Sequence, residues 1–216
     1  MQQSHLIRGR ILADLMEGRL PFGARVTIDE LARSYGASHM PVREALRHLA
    51  GENLVEFLPN RGARIRSVDR AFVENLFAMR IALEAMLARR AAHHADAALV
   101  ASLQAIEDRL EQEIADANFA AALAANRMLH DTINRAARNP QAVEQIDRHW
   151  ILIQALWRDV GYGPERLAGV ANDHRHLIRA LAERDGEAAG VLMAAHVIKA
   201  RNELLLRMDA RAGATA

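Results

Sequence analysis

Short β-compatible segments occur in one place in this chain of 216 residues, between positions 54 and 66. Leu54–Leu58 and Ala63–Arg66 are separated by the turn-forming sequence Pro-Asn-Arg-Gly at residues 59–62, a pattern that predicts a β-hairpin. The rest of the chain is rich in Ala, Leu, Arg and Glu and has only 4% aromatic residues, which favours helices packed on helices. The predicted fold is therefore mainly α, with one hairpin.

Three helices are predicted before the hairpin. Apolar residues recur at helical spacing over residues 6–15. Thr27 and Glu30 have the spacing of a capping box at the start of a second helix, which ends near Gly36. Ser38 can cap a third helix, and the predicted buried stripe of that helix consists of Val42, Ala45, Leu46 and Leu49. Three helices followed by a hairpin are in the order of a winged helix-turn-helix, which binds DNA.

Charge and cysteine content exclude several classes of protein. The 28 Lys and Arg nearly balance the 27 Asp and Glu, but residues 1–70 carry 11 arginines against 8 acidic residues. The chain has no cysteine, which excludes disulfides, thiolate zinc fingers and cysteine nucleophiles and suits a reducing compartment. No apolar run approaches the roughly 20 residues that span a bilayer, and no signal peptide is recognised. We expect a soluble cytoplasmic protein without a membrane partner.

The third helix and the hairpin tip carry candidate DNA contacts. The helix exposes four polar residues at its start and along one face: Ser38, His39, Arg43 and Arg47. Arg43 could read guanine in the major groove with two hydrogen bonds. At the hairpin tip, Asn60 and Arg61 can reach phosphate, and Gly62 lets the backbone approach it closely. The alternative is that the arginines form a solvated helix face and the tip is merely a turn.

The chain after the hairpin is predicted to be entirely helical. Apolar spacing and the breaks at Asn139-Pro140, residues 161–164 and Asp185-Gly186 indicate helices over residues 71–94, 99–117, 119–137, 142–160 and 165–184, and a last helix that ends near residue 211. We therefore assign residues 1–68 to a winged helix-turn-helix domain. Residues 71–211 form an all-helical second domain, and residues 212–216 form a loose tail.

Histidine spacing in the second domain points to a metal site. Asn126 and His130, four residues apart, share one helix face. His174 precedes the 185–186 turn by 11 residues and His196 follows it by 10, so two antiparallel helices would place them at similar heights. Three imidazoles that converge from three helices suit a borderline divalent metal such as Zn²⁺ or Ni²⁺. The alternative is that these histidines lie on the surface or pack in the core.

The first domain contains Pro-Val-Arg-Glu-Ala-Leu-Arg-His-Leu at residues 41–49, the hairpin sequence at 54–63, and the flanking residues 28–38. In these segments it resembles the DNA-binding domain of the GntR family of bacterial transcription regulators. The resemblance covers residues 6–66 and implies binding to double-stranded operator DNA. The family usually has Arg and Thr where this chain has His39 and Met40. His39 cannot reproduce a guanidinium fork, and Met40 offers an apolar contact in place of a hydroxyl.

The second domain contains, in order, Arg-Ile-Ala-Leu-Glu at residues 80–84, the Asn126…His130 pair, Asn139-Pro140, and the histidine segments at 173–180 and 188–196. Over about residues 70–208 it resembles the FCD sensor domain of the FadR-like branch of that family, in which these segments occur in the same order. The resemblance implies a homodimer held by these domains. It also implies a metal bound by one carboxylate and three histidines.

The metal ligands that the resemblance implies are His130, His174, His196 and, in the carboxylate position, Asn126. An amide oxygen is a neutral and weaker donor, so metal affinity is expected to be lower than with a carboxylate. Arg80 occupies the position of the family's effector-binding arginine, which implies a small organic acid as effector. The alternative role for Arg80 is an ion pair with Glu84 at i+4, worth about 0.3–0.5 kcal/mol.

The predicted function is that of a ligand-responsive transcription regulator that binds a palindromic operator as a homodimer. One alternative is a DNA-binding regulator whose helical domain dimerises but binds no metal. The other is a helical metalloenzyme, which is disfavoured because the sequence has no Glu-x-x-His, His-Glu-x-x-His, Gly-x-Ser-x-Gly or phosphate-loop pattern. We therefore expect no enzymatic activity.

Overall fold

A computed structural model describes residues 2–58, 62–161 and 164–214. Within these ranges the chain forms nine helices: α1 (Gln2–Glu17), α2 (Ile28–Tyr35), α3 (His39–Gly51), α4 (Arg70–His94), α5 (Ala97–Ala115), α6 (Phe119–Ala136), α7 (Pro140–Val160), α8 (Pro164–Ala182) and α9 (Gly186–Ala214). Three short strands complete the described structure: β1 (Arg25–Val26), β2 (Val55–Phe57) and β3 (Ala63–Ile65). None of the described helices is long and apolar enough to cross a membrane.

The chain divides into two compact units. The first contains Met1–Phe72 and Ile151–Asp159, and the second contains Val73–Trp150 and Val160–Ala216. The sequence analysis assigned the whole helix over residues 142–160 to the second domain, whereas the C-terminal part of α7 groups with the first unit. Apolar periodicity identifies this helix but does not show which unit buries each of its turns.

The local signals predicted for the first unit are present in the structure, except for the side-chain cap of Ser38. Thr27 accepts a hydrogen bond from the Glu30 amide (3.1 Å), and the Glu30 carboxylate accepts one from the Thr27 amide (2.8 Å), so the capping box is confirmed. Gly36 ends α2 in the left-handed conformation. Ser38 is the N-cap residue of α3, but its side chain makes no capping hydrogen bond. The predicted stripe of α3 is fully buried, and α3 packs against α1 and α2.

The small sheet has one strand more than the sequence predicted. The strands β2 and β3 pair antiparallel as the expected hairpin, with Val55 opposite Ile65 and Phe57 opposite Ala63. The unpredicted strand β1 pairs with the other side of β3, so the order is β1-β3-β2. The prediction of a hairpin alone was wrong in this respect because two residues are too short to show a period-two pattern.

Gly62, the residue immediately before β3, lies next to β1. Its φ is +81°, and a Cβ at this position would lie 2.5 Å from the Val26 carbonyl oxygen. Its own carbonyl oxygen accepts a hydrogen bond from the Leu58 amide (2.9 Å). Both the backbone conformation and the close approach therefore require glycine. Residues 59–61, the rest of the predicted turn, lie outside the described residues.

The second unit is built from α4, α5, α6, α8, α9 and the N-terminal part of α7. Helix α5 packs against α6 and α8, and α8 packs against α9. A buried apolar cluster joins α5, α6 and α8 and consists of Leu110, Ala125, Val170 and Ala171. Asp185 caps α9 through the Ala188 amide (2.9 Å), at the predicted turn. Helix α9 continues to Ala214, so residues 212–214, predicted as part of a loose tail, are helical.

Replacement of Gly62 by alanine should destabilise the first unit. We expect Gly62→Ala to lower the free energy of unfolding by roughly 1–3 kcal/mol, because the methyl group meets the Val26 carbonyl and φ is positive. Gly9→Ala in α1 is the matched control, since no atom lies within 4 Å of its Cβ and alanine favours helix. Urea unfolding followed by circular dichroism measures both. Equal stability of the two variants would contradict this account of Gly62.

Candidate metal centre and DNA interface

Three buried histidines converge in the second unit. His130 on α6, His174 on α8 and His196 on α9 each offer a ring nitrogen, and these three nitrogens lie within 4.8 Å of one another. The three residues are at most 4% exposed. The antiparallel pairing of α8 and α9 about the turn at residues 185–186 brings His174 and His196 to the same height. The convergence inferred from spacing is therefore present in the structure.

A buried glutamate fixes the ring of His130. The Nδ1 atom of His130 lies 2.6 Å from Glu84 Oε2. Burial by itself would raise the pKa of Glu84, but the Arg80 guanidinium and the hydrogen bonds from Arg80 and His130 outweigh it and lower the pKa to about 2. Burial lowers the pKa of His130, which favours its neutral form. A neutral ring that donates from Nδ1 to Glu84 keeps its Nε2 lone pair available for a metal.

His174 is held in the same way, because its Nδ1 lies 2.7 Å from Glu107 Oε2 on α5. His196 differs: its Nδ1 is 3.4 Å from Asp173 Oδ2, a charge contact without a hydrogen bond. His174 Nε2 is buried and has no hydrogen-bond partner among the described residues. His130 and His174 thus bond to a carboxylate at Nδ1, and each of these rings presents Nε2 on its other side. A carboxylate at the second ring nitrogen is the usual support of a metal-binding histidine.

The distance between facing nitrogens fits a metal ligand set. His130 Nε2 and His196 Nε2 are 3.2 Å apart. Two ligands at about 2.0–2.1 Å from one tetrahedral Zn²⁺ would be roughly 3.3 Å apart. Neutral imidazoles suit Zn²⁺ and Ni²⁺. The residues present therefore fit a divalent metal of this class.

Asn126 lies one turn before His130 on α6 and is half-buried. Its position on the same helix face agrees with the spacing argument. Whether its amide oxygen is a fourth ligand stays a prediction.

Arg80 lies beside this cluster and is itself buried. Its Nη2 and Nε atoms lie 2.7 and 2.9 Å from Glu84 Oε1, and its guanidinium stacks 4.5 Å from the Trp150 ring. The i+4 ion pair considered from the sequence is therefore formed. Because both partners are buried, removal of the carboxylate would leave the Arg80 charge uncompensated and destabilise the fold. Glu84 thus bonds to Arg80 with one oxygen and to His130 with the other.

The sequence analysis missed the carboxylates that support the rings. Glu84 and Glu107 are buried acidic residues, and Glu107 lies in the apolar stripe of α5 between Leu103 and Leu110. An acidic residue in a buried stripe needs a partner, so its position in that stripe is the signal that could have identified it. The remaining histidine of α8, His176, is exposed and lies outside the cluster.

The start of α3 forms the candidate DNA interface of the first unit. His39, Met40, Arg43 and Arg47 are all exposed on α3. Arg47 bonds to Glu44 (2.9 Å), and His39 Nε2 lies 3.1 Å from Asp29 Oδ1 on α2. Arg43 lies one turn after His39 and shares its helix face. Asn60 and Arg61 lie outside the described residues.

Comparison with known proteins identifies the family. Residues 3–65 match the bacterial regulatory proteins of the gntR family, and residues 75–199 match the FCD domain. The chain belongs to the GntR family. It is a DNA-binding transcriptional regulator and not an enzyme, as the sequence predicted.

Relatives of this GntR regulator cover most of its length. A probable D-xylose utilization operon transcriptional repressor of Paenarthrobacter nicotinovorans is 31% identical over 194 residues, which are 88% of this chain and 84% of that protein. The HTH-type transcriptional regulator McbR of Escherichia coli is 25% identical over 79% of this chain and 78% of its own. The solved structure of E. coli McbR/YncC has a TM-score of 0.81, with 22% identity and coverage of 96% of this chain and 99% of that one. This likeness confirms the predicted fold of a winged helix followed by a helical domain.

Removal of the Glu84 carboxylate should destabilise the second unit strongly. We expect Glu84→Ala to lower the free energy of unfolding by roughly 3–5 kcal/mol, because Arg80 is left buried without its partner. Glu187→Ala, which breaks an exposed pair with Arg89, should cost less than about 1 kcal/mol. Urea unfolding of the metal-free protein measures both. Similar small losses in the two variants would contradict a structural role for the buried pair, and Glu84→Gln serves if the alanine variant does not fold.

Proposed function

We propose that this GntR regulator responds to a small organic acid through a divalent metal, Zn²⁺ or Ni²⁺, in its helical domain. The observation that carries the proposal is the buried cluster of His130, His174 and His196, in which Nδ1 of the first two rings bonds to a buried glutamate. A core that served packing alone has no need of three oriented imidazoles, and burying them costs free energy unless they are partnered.

In this proposal His130, His174 and His196 hold the metal, with Asn126 as the fourth protein ligand. The metal, when bound, supplies a Lewis acid that attracts an oxygen of the effector. The Glu84 and Glu107 carboxylates keep the His130 and His174 rings in one orientation, so these two ligands are positioned before the metal arrives. The neutral amide of Asn126 makes the affinity lower than with a carboxylate ligand.

Arg80 is the proposed effector contact. Its Nε and Nη2 face Glu84, and a guanidinium has five N–H donors in total, so an organic acid can share this side chain. Because Glu84 also holds His130, binding of an acid at Arg80 alters the surroundings of a proposed metal ligand. Effector and metal are thereby linked through one carboxylate, and each should change the affinity of the other by the same factor.

The proposed DNA interface consists of residues on α3 and at the hairpin tip: Ser38, His39, Met40, Arg43, Arg47, Asn60, Arg61 and Gly62. We propose that the protein is a cytoplasmic homodimer that binds a palindromic operator, because two-fold protein symmetry matches two-fold DNA sites. The effector then shifts the population between states with different spacing of the two DNA-binding units. The resemblance to FCD domains supports this assembly.

Loss of any of the three clustered histidines should remove the metal. We expect His130→Ala, His174→Ala and His196→Ala to contain less metal than the wild type after purification in the presence of Zn²⁺ or Ni²⁺. The control variant His176→Ala, changed at an exposed position, should keep the metal. In unfolding experiments, metal at about 100 times its dissociation constant should stabilise the wild type by about 2.7 kcal/mol.

The metal content is measured by mass spectrometry, with operator binding as a second readout. Operator binding without effector should survive in all three variants, whereas the response to organic acids should be lost. Unchanged metal content in the three variants would show that the site assignment is wrong. If the wild type itself gains no stability with Zn²⁺ or Ni²⁺, the helical domain acts in dimerisation without metal.

Arg43 should contribute directly to operator affinity. We expect Arg43→Ala to weaken specific binding by about 1–3 kcal/mol and to relax the base preference at one position of each half-site. Arg109→Ala, in the second unit and paired with Glu113, is the control for loss of one positive charge. Mobility-shift titrations at fixed salt concentration measure both variants. Equal losses for the two would contradict base contact by Arg43.

A further inference from the structure

An acidic side chain lies at the end of the DNA-binding helix. Asp29, in the first turn of α2, places Oδ1 3.1 Å from Nε2 of His39, the first residue of α3. The two side chains are 72% and 65% exposed. Ion pairs with this exposure contribute little to stability. Stabilisation of the fold therefore does not account for the pair.

The position of the Asp29–His39 pair places it where the protein would contact DNA. In a helix-turn-helix the N-terminal residues of the second helix contact base edges in the major groove. His39 is the first residue of that helix here, and Asp29 touches it, so both lie at the end that enters the groove. The pair borders an open cavity of about 460 Å³, lined also by Ala32, Arg33, Gly36 and Ala37.

We propose that Asp29, oriented by His39, reads operator DNA by accepting a hydrogen bond from the exocyclic amino group of a cytosine or adenine. A carboxylate near DNA is repelled by the phosphates, so it needs a specific donor to offset that cost. In the major groove the donors are the N4 amino group of cytosine and the N6 amino group of adenine. Guanine O6 and thymine O4 are acceptors and repel a carboxylate.

The surroundings of the pair agree with this role. Met40, 65% exposed, is an apolar side chain beside His39 and can contact a thymine methyl group. Arg43, one turn further along α3, is suited to guanine. The end of α3 thus offers an acceptor, an apolar group and a forked donor in adjacent places. Such a set selects a base sequence, whereas a uniformly basic surface would bind phosphate without selection.

The test is selection of duplex DNA by the full-length protein from a library with randomised positions. The wild type should enrich an amino-bearing base at one position of each half-site, by on the order of tenfold over the keto-bearing bases. Asp29→Ala should lose this enrichment, and Asp29→Asn should weaken it, because an amide can also donate to a keto group. His39→Ala should weaken it as well, since the carboxylate is then not oriented.

Glu17→Ala is the matched control, because it removes one exposed acidic charge from the same unit. Glu17 is the last residue of α1, outside α2 and α3. Both Asp29→Ala and Glu17→Ala reduce repulsion from phosphate, so both should gain non-specific affinity at low salt. Only Asp29→Ala should change the selected sequence. If Asp29→Ala selects the same bases as the wild type, or if the Glu17 variant loses the preference equally, the proposal is overturned. Circular dichroism confirms that each variant is folded.

Discussion

Buried carboxylates set the interior of the helical unit. Glu84 and Glu107 are almost completely removed from solvent, and a charge in that position is tolerated only with partners. Glu84 has two, Arg80 and His130, and Glu107 holds His174. The Glu84–His130 pair joins α4 to α6 and the Glu107–His174 pair joins α5 to α8, so the two carboxylates constrain how the helices of each pair meet. An apolar core of equal volume would be at least as stable, so the network is better explained by orienting the imidazoles than by stabilising the bundle.

The elements that the sequence predicted are those with a local cause. The capping box at Thr27 and Glu30 is contained in four consecutive residues, and the buried stripe of α3 is recognised from apolar residues three or four positions apart. The meeting of His174 and His196 followed from counting residues on each side of one turn, since two antiparallel helices of regular rise must bring such positions together.

The elements that it missed depend on tertiary partners. The strand β1 has two residues and exists because β3 offers a free edge. The helix α7 contributes to both units, a division that its periodicity does not record. Periodicity also treats an acidic residue as a surface residue, so Glu84 and Glu107 could be found only by asking why they stand among buried apolar positions. Helical spacing places Asn126 on the same face as His130, but metal coordination by its amide oxygen depends on tertiary geometry, which spacing does not describe.

His39–Asp29 and His130–Glu84 join the same two kinds of side chain in opposite environments. In the helical unit both partners are buried (1% and 0% exposed), water cannot replace either, and exchanging partners would leave a charge without compensation. Such a pair fixes a ring in one orientation, which suits a metal ligand. At the start of α3 both partners are in water, and exchanging one hydrogen-bond partner for another costs little. An exposed pair of this kind orients its carboxylate and still leaves it available to a new hydrogen-bond donor, as recognition of a base edge requires. A metal-binding ring needs the opposite, a partner that does not exchange.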